Sequence, residues 1–379
     1  MRDLLITTHT PVLRTGQAMR TYGVARALAA NRGLTLLYVR FDAPEPDAAF
    51  RAIPGIELRE IVPSRGLRRL ISYGAARLAR MPEEFARGIS PELEREAARL
   101  AAEPDRGRVV ADGLIEAAAL RRLARARPVI YNAHNFESGF RDYLGRGLLG
   151  GARGLRALER GVLARSEESW MVSDADITAA RELCPDARLR YVPNVVDVEA
   201  IRPVTPSAGE RRAIFVANFA YAPNREGLRF LLERVFPRVW SELPDATLTL
   251  VGGGLEDPPQ GDPRVQATGF VDDLAHAYGR ASCAVVPLLQ GGGTPLKFVE
   301  ALAYAVPVIA TRRAAAGLDV RDGEHCLLAD GEEQFAAAVI RVLRDGAQDL
   351  GRHGRELAAE RYSIEALGRL LAPSPAPVA

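Results

Sequence analysis

The sequence predicts an α/β fold of two Rossmann-like, doubly wound parallel-sheet domains that face a central cleft. Short apolar runs alternate with stretches of helical periodicity, the pattern of βαβ units and so of a parallel sheet. The alternation stops at a proline-bearing stretch, DVEAIRPVTPSAGE over 197–210, and then begins again. At 379 residues the chain has room for two domains, and 47% hydrophobic residues can fill two cores.

In chain order, Leu4–Thr8 reads as a buried strand that ends at His9 and a loop from Thr10 to Gly16. Gln17–Ala30 carries Ala18, Tyr22, Ala25 and Leu28 on one helical face, and Leu34–Val39 is a second buried strand. Val109–Ala111 precedes a helix around Ile115–Ala126, and Val129–Ala133 is the next strand. Residues 153–168 are helical before a short strand at Met171–Ser173, and Tyr191–Asn194 closes the first half. After the interruption, Ala213–Ala217 is a strand, Asn224–Trp240 a helix, and Ala246–Val251 a strand running into Gly252, Gly253 and Gly254. Val265–Gly269 is extended, Leu274–Ala281 helical, Cys283–Pro287 a strand, Leu296–Ala305 a helix and Val306–Ala310 a strand. Residues 332–345 and 350–372 read as helical. The expected boundaries are an N-terminal domain over 1–195, a linker over 196–209 and a C-terminal domain over 210–355. A final segment, 356–379, is expected to pack its helix back on the N-terminal domain before a tail. Ligands of doubly wound sheets bind at the carboxyl ends of the strands, where the order reverses, and a cleft between two such domains is the favoured place.

Composition narrows the function. Residues 1–200 hold 31 basic and 26 acidic residues, net +5, and residues 201–379 hold 19 and 22, net −3. That balance suits an anionic substrate or surface in the front half and is too small for a nucleic-acid partner. Cys184, Cys283 and Cys326 are far apart and form no metal-binding spacing, which fits a reducing, cytoplasmic setting. No apolar run approaches the ~20 residues that span a bilayer, and the N-terminus lacks the pattern of a signal peptide.

Among 50 basic residues, Lys297 is the single lysine. It lies in VPLLQGGGTPLKFVEALA, which reads as strand, glycine loop and helix start. Consecutive glycines let a backbone approach a ligand and turn its N–H groups toward it. A cation in the first turn of a helix opposes the helix dipole, so its placement there points to an anion, and Lys supplies a compact ammonium rather than a planar fork. Glu300 follows one turn later on the same face and can accept hydrogen bonds from ribose hydroxyls. The alternative for these residues alone is an ordinary loop whose Lys and Glu pair in solvent.

The segment GGGTPLKFVEALAYAVPVIAT resembles the donor-nucleotide segment of family 4 retaining glycosyltransferases of GT-B fold. FVANFAYAPNREGLRFL, LTLVGGG, ATGFVDDLAHAYGRASCAVVPL and AGLDVRDGEH resemble the family's neighbouring stretches in order, so the likeness runs over about 190–345. The resemblance implies two domains, an N-terminal one for the acceptor and a C-terminal one for a nucleotide sugar. It implies that Lys297 faces the diphosphate, that Glu300 holds the ribose, and that Gly16 lies in a glycine loop near the donor. YNAHNFE resembles a strand end whose histidine, His134, faces the transferred sugar. Three features depart from the family. The acid eight residues before Glu300 is Gly292, leaving sugar contacts to backbone N–H groups of Gly292, Gly293 and Thr294. The family's arginine and lysine after the first C-terminal strand are replaced by Asn218 and by Arg225, a substitute cation. A glycine common before the proline of this motif is missing from Ala305-Val306-Pro307.

The resemblance implies transfer with retention from a UDP- or GDP-sugar, with no cofactor and no metal, to a glycan, a lipid-linked sugar or a natural product. His134 is then a donor or orienting group, and Lys297 stabilises charge on the leaving diphosphate. Asp174 and Asp176, the one Asp-x-Asp pair, read as helix-capping acids. Two other readings stay open, a sugar-nucleotide epimerase of the same architecture and a nucleotide-binding scaffold without transfer. Residues 65–80, with Arg65, Arg68, Arg69, Arg77 and Arg80 among Leu67, Leu70, Ile71 and Leu78, read either as a solvated helix or as a peripheral contact with an anionic bilayer, and with two glycines weakening the helix the loop could equally be an acceptor lid. Arg141, Arg146, Arg153 and Arg156 form a second basic stretch compatible with either.

Overall fold

The computed structural model describes residues 1–13, 15–40, 44–63, 70–71, 73–74, 90–139, 151–205, 210–255, 262–290 and 294–373. The chain divides into two compact units, one of Met1–Pro193 with the chain from Leu367 on, the other of Asn194–Ala366.

The first unit holds a parallel sheet of β1 (Arg2–Thr7), β2 (Leu34–Val39), β3 (Ile56–Ile61), β4 (Arg106–Asp112), β5 (Ile130–Asn132), β6 (Glu168–Met171) and β7 (Leu189–Tyr191). Their spatial order is β3-β2-β1-β4-β5-β6-β7, so the winding reverses between β1 and β4. Leu4, Leu5 and Ile6 of β1 are fully buried, as a strand covered on both faces requires. The helix Gly16–Arg32 starts where the Thr15 hydroxyl accepts from the Ala18 N–H at 3.2 Å, and it ends at Gly33 with φ of 72°. Ser173 caps Asp174–Leu183 by accepting from the Asp176 N–H at 3.1 Å, and both acids fall in that helix's first turn.

The second unit holds β8 (Arg212–Val216), β9 (Thr247–Val251), β10 (Val265–Gly269), β11 (Cys283–Val286), β12 (Val308–Ala310) and β13 (Leu327–Leu328). They are parallel, in the order β10-β9-β8-β11-β12-β13, with the reversal between β8 and β11. Ala213 and Phe215 enter the core on one face and Ile214 the core on the other, the period of two that a doubly covered strand shows.

Several expected boundaries move. The strand expected at 171–173 is Glu168–Met171, and the helix around Ile115–Ala126 breaks into Leu114–Ala119 and Leu123–Ala126. The helix expected over 224–240 begins at Ala222 and passes through a π turn at Leu231–Val235 before Phe236–Glu242. The helical stretch 350–372 is two helices, Gln348–Arg361 and Ile364–Leu370. Where a linker was expected over 196–209, Val196 and Val198 are buried in the second unit's core, and the division falls at Pro193. Gln348–Arg361 packs on Leu296–Ala303 within the second unit, and only Leu367 onward counts with the first. There the Arg108 guanidinium donates to the Leu371 carbonyl at 2.6 Å and Asn31 Nδ2 to the Gly368 carbonyl at 3.0 Å. Of the basic segment 65–80, only 70, 71, 73 and 74 are described, with Leu70 and Ile71 exposed; Arg141 and Arg146 also lie outside the described residues. Among the described residues no helix is long and apolar enough to cross a membrane.

Ala305 takes the left-handed conformation, with φ of 61°, at the place where the sequence lacks the expected glycine. The conformation is imposed from above, because a Cβ on Gly351 would stand 2.1 Å from the Ala305 carbonyl oxygen, so that helix sits directly on the turn. A left-handed alanine costs roughly 1–2 kcal/mol, partly offset in a glycine variant by its freer unfolded chain. Ala305→Gly should therefore stabilise the second unit by about 0.5–1 kcal/mol. A calorimetric melting temperature higher by about 1–3 °C is expected; an unchanged or lower value would show that the turn carries no such strain.

Candidate active site

In the second unit, chemistry collects where β8 and β11 part. Lys297 stands in the first turn of the helix Leu296–Ala303, whose N-cap, Pro295, makes no side-chain capping bond. Its Nζ donates to Asn224 Oδ1 and lies 5.1 Å from the centre of the Phe215 ring. Asn224 comes from the other loop, in the first turn of Ala222–Phe230, and its Nδ2 donates to the Asn218 carbonyl at 2.7 Å. Crowding by protein lowers the Lys297 pKa from the ordinary lysine range to about 7, because burial penalises the charged form. Glu300 follows on the same helix and shares a hydrogen bond with Tyr278. Burial pushes the Glu300 carboxyl up to about 7, against the opposing pull of the tyrosine hydroxyl. Tyr278 is itself buried and stacked on Tyr304, ring centres 4.7 Å apart.

The remaining expected donor contacts divide. The Thr294 carbonyl accepts from Asn194 Nδ2 at 2.9 Å, which anchors the chain just before the lysine helix. Asn218 is exposed, and its Oδ1 accepts from the Ala220 N–H at 3.0 Å. Arg225 turns its guanidinium onto the carbonyls of Phe219, at 3.1 Å, and Ala220, closing its own loop. Gly292 and Gly293 lie outside the described residues.

The first unit builds a separate polar cluster at its own strand ends. His134, just beyond β5, places Nε2 2.9 Å from Asp112 Oδ1 at the end of β4. The same oxygen accepts from Asn132 Nδ2 at 2.6 Å, and Asp112 Oδ2 accepts from the Thr21 hydroxyl at 2.5 Å. Burial alone would raise the Asp112 pKa, but His134 and the Thr21 hydroxyl outweigh it and hold the carboxyl below its ordinary value. An ionised Asp112 thus orients the His134 ring from one side. The His9 ring, just past β1, lies 6.5 Å from that of His134, centre to centre. Glu137 is raised to about 7, first by burial and then by neighbouring Glu159. Gly16 opens the first helix behind Thr15, exposed. Among the described residues no group of three or more His, Cys, Asp or Glu side chains could hold a metal ion.

Residues 210–345, which carry Lys297, Asn224 and Glu300, match the family described as Glycosyl transferases group 1. Over 284 residues the chain is 28% identical to the GDP-mannose-dependent alpha-(1-6)-phosphatidylinositol monomannoside mannosyltransferase of Mycobacterium tuberculosis, covering 66% of this chain and 70% of that one. It is 26% identical over 162 residues to an uncharacterized 44.6 kDa protein in the cps region of Klebsiella pneumoniae, spanning 39% of this chain and 42% of that protein. The fold matches HepE of Anabaena, solved in complex with UDP, with a TM-score of 0.69, 13% identity and 98% of both chains covered. The chain is a glycosyltransferase of GT-B fold.

The comparisons do not favour the epimerase or the scaffold over this glycosyltransferase. Three residues of its two clusters escaped the sequence reading. Asp112 had a legible signal, a carboxylate ending the buried run Val109-Val110-Ala111. Asn224 and Tyr278 had none, since only the juxtaposition of two loops or two helices brings them to Lys297 and Glu300.

Lys297 gives the glycosyltransferase a testable proton linkage. Its pKa lies near the ordinary lysine value when unfolded and about 7 when folded, so the unfolded chain binds more protons between the two. Stability on its account is full above the unfolded value and falls as pH drops toward 7. Lys297→Met removes that loss, while all other titrating groups are common to both proteins. The gain in melting temperature over wild type should be larger near pH 6.5 than near pH 9.5. Equal gains at the two pH values would show that the amine is not depressed.

Proposed function

We propose that this glycosyltransferase moves a sugar from a UDP- or GDP-linked donor to a glycan, lipid-linked or natural-product acceptor, retaining the anomeric configuration and using no metal. The observation that carries the reading is Lys297, an ammonium brought to the fork between β8 and β11 by a neutral partner, with no ion pair among the described residues. Such a charge is available to an anion. The HepE complex holds UDP and the mycobacterial relative is named for GDP-mannose, which supports a nucleotide sugar as donor. That relative's phosphatidylinositol monomannoside acceptor supports a lipid-linked acceptor, which this chain would meet by peripheral contact from the cytoplasmic side.

In this reading the donor's C1–O bond breaks first, and its electron pair goes to the diphosphate. The acceptor hydroxyl then bonds to C1 on the same face and gives its proton to a diphosphate oxygen. No protein nucleophile or base is required. The chain's task is to stabilise charge growing on the departing diphosphate, which falls to Lys297 and to backbone N–H groups. Glu300, held by Tyr278, accepts from the ribose hydroxyls. His134, oriented by Asp112, positions the sugar.

Lys297→Ala should lower turnover by about 10²–10³, the usual loss for one such donor, with little loss of melting temperature. Glu300→Ala should instead raise the donor KM. Initial rates with a panel of UDP- and GDP-sugars distinguish the two effects, and proton NMR of the product reports its anomer. Wild-type turnover in Lys297→Ala, a product of inverted configuration, or loss of activity in EDTA would each overturn the corresponding part of the proposal.

A further inference from the structure

Asn224 is buried, yet its side chain bridges two loops rather than filling a core. Its amide cannot be turned around. As it stands, Nδ2 donates to the Asn218 carbonyl at 2.7 Å and Oδ1 accepts from the Lys297 ammonium. A flip would set amide hydrogens against the ammonium and Oδ1 against a carbonyl oxygen, losing two hydrogen bonds and gaining two repulsions. One amide therefore ties the loop after β8 to the first turn of the helix after β11.

Backbone contact puts it there. Gly227, three residues further along the same helix, has no room for a side chain, since a Cβ would stand 2.6 Å from the Pro287 carbonyl oxygen. This close approach seats Ala222–Phe230 on the chain just leaving β11. Gln290 Nε2 donates to Glu226 Oε2 at 2.5 Å as a second tie between the same segments. Asn224 and Lys297 thus meet because their helices are docked, not because a flexible lysine has found an acceptor by chance.

The partner's charge also matters. A carboxylate at this position would hold an ammonium more firmly but cancel its field. An amide fixes it and leaves its full charge for an anion. Asn224 takes one of the three ammonium hydrogens, and the Phe215 face lies 5.1 Å from Nζ.

We propose that Asn224 is a positioning residue that aims the Lys297 ammonium, uncancelled, at the diphosphate of the nucleotide donor. The proposal rests on the donor reading of Lys297 above. It predicts that Asn224→Asp, nearly identical in shape, is worse for binding although it favours the protonated amine.

The experiment uses the full chain and three variants, Asn224→Asp, Asn224→Ala and Lys297→Ala. Calorimetry measures UDP and GDP binding. Competitive acetylation across pH, followed by mass spectrometry, titrates the amine without ambiguity because Lys297 is the single lysine. Asn224→Asp should move the amine's titration up by about one pH unit or more, as an adjacent opposite charge does. The same variant should weaken nucleoside diphosphate binding by about tenfold or more, because a carboxylate now faces the phosphates. Asn224→Ala should weaken binding several-fold without that upward move. A merely structural asparagine would instead lower melting temperature and affinity together in both. Wild-type affinity in both Asn224 variants, or an unmoved amine titration in Asn224→Asp, overturns the proposal. Lys297→Ala separates the two levels. If it binds UDP and GDP like wild type, the donor reading itself falls; if it binds weakly while the Asn224 variants bind normally, only the positioning role falls.

Discussion

In the proposed reading Lys297 acts on an anion, and such an ammonium cannot be satisfied by an acid of its own protein. That constraint organises the second unit. Lys297 is crowded enough for its pKa to fall to about 7, so charging it is costly, and its hydrogen-bond partner is an amide. An incoming diphosphate can supply the opposite charge that the protein withholds. The cost is tolerable because the helix and loop that carry Lys297 are held by other contacts, among them the bond from Asn194 to the Thr294 carbonyl.

The first unit solves the opposite problem. Its buried charge is negative, and Asp112 survives without solvent because Asn132, Thr21 and His134 surround both its oxygens. Those groups come from the end of β5 and from the helix Gly16–Arg32, so Asp112, at the end of β4, joins three elements beside the reversal of the sheet. His134 gains a fixed orientation from it. Both clusters stand where their sheets change winding direction, because strands on either side of that point send their connections apart and leave strand ends uncovered.

Close backbone approaches set the positions of these groups more than side-chain packing does. Gly227 against Pro287 brings Asn224 to the lysine, and Gly351 against Ala305 clamps the end of the helix that carries Lys297 and Glu300. In the second case the chain accepts an alanine in a left-handed turn where glycine would be relaxed. The same docking places Gln348–Arg361 in the second unit rather than with the tail.

The strands buried on both faces were legible as continuous apolar runs, and β2 falls on the expected residues. Strand β3 was not, because an edge strand with Glu57, Arg59 and Glu60 looks like any polar stretch until a neighbour pairs with it. The two residues of β13 are too few to carry a period. Lys297 and Glu300 were visible because residue type, spacing and a glycine loop coincide within a dozen positions. The amino-acid order alone thus determined the two tandem βα arrays and singled out Lys297 behind a glycine loop, since each depends on local periodicity or near neighbours. Tertiary structure alone decided that Asn224 stands behind Lys297, Tyr278 behind Glu300 and Asp112 behind His134. Those partners are 73, 22 and 22 residues distant, and hydrogen bonds over such separations exist only once the sheets have brought their ends together.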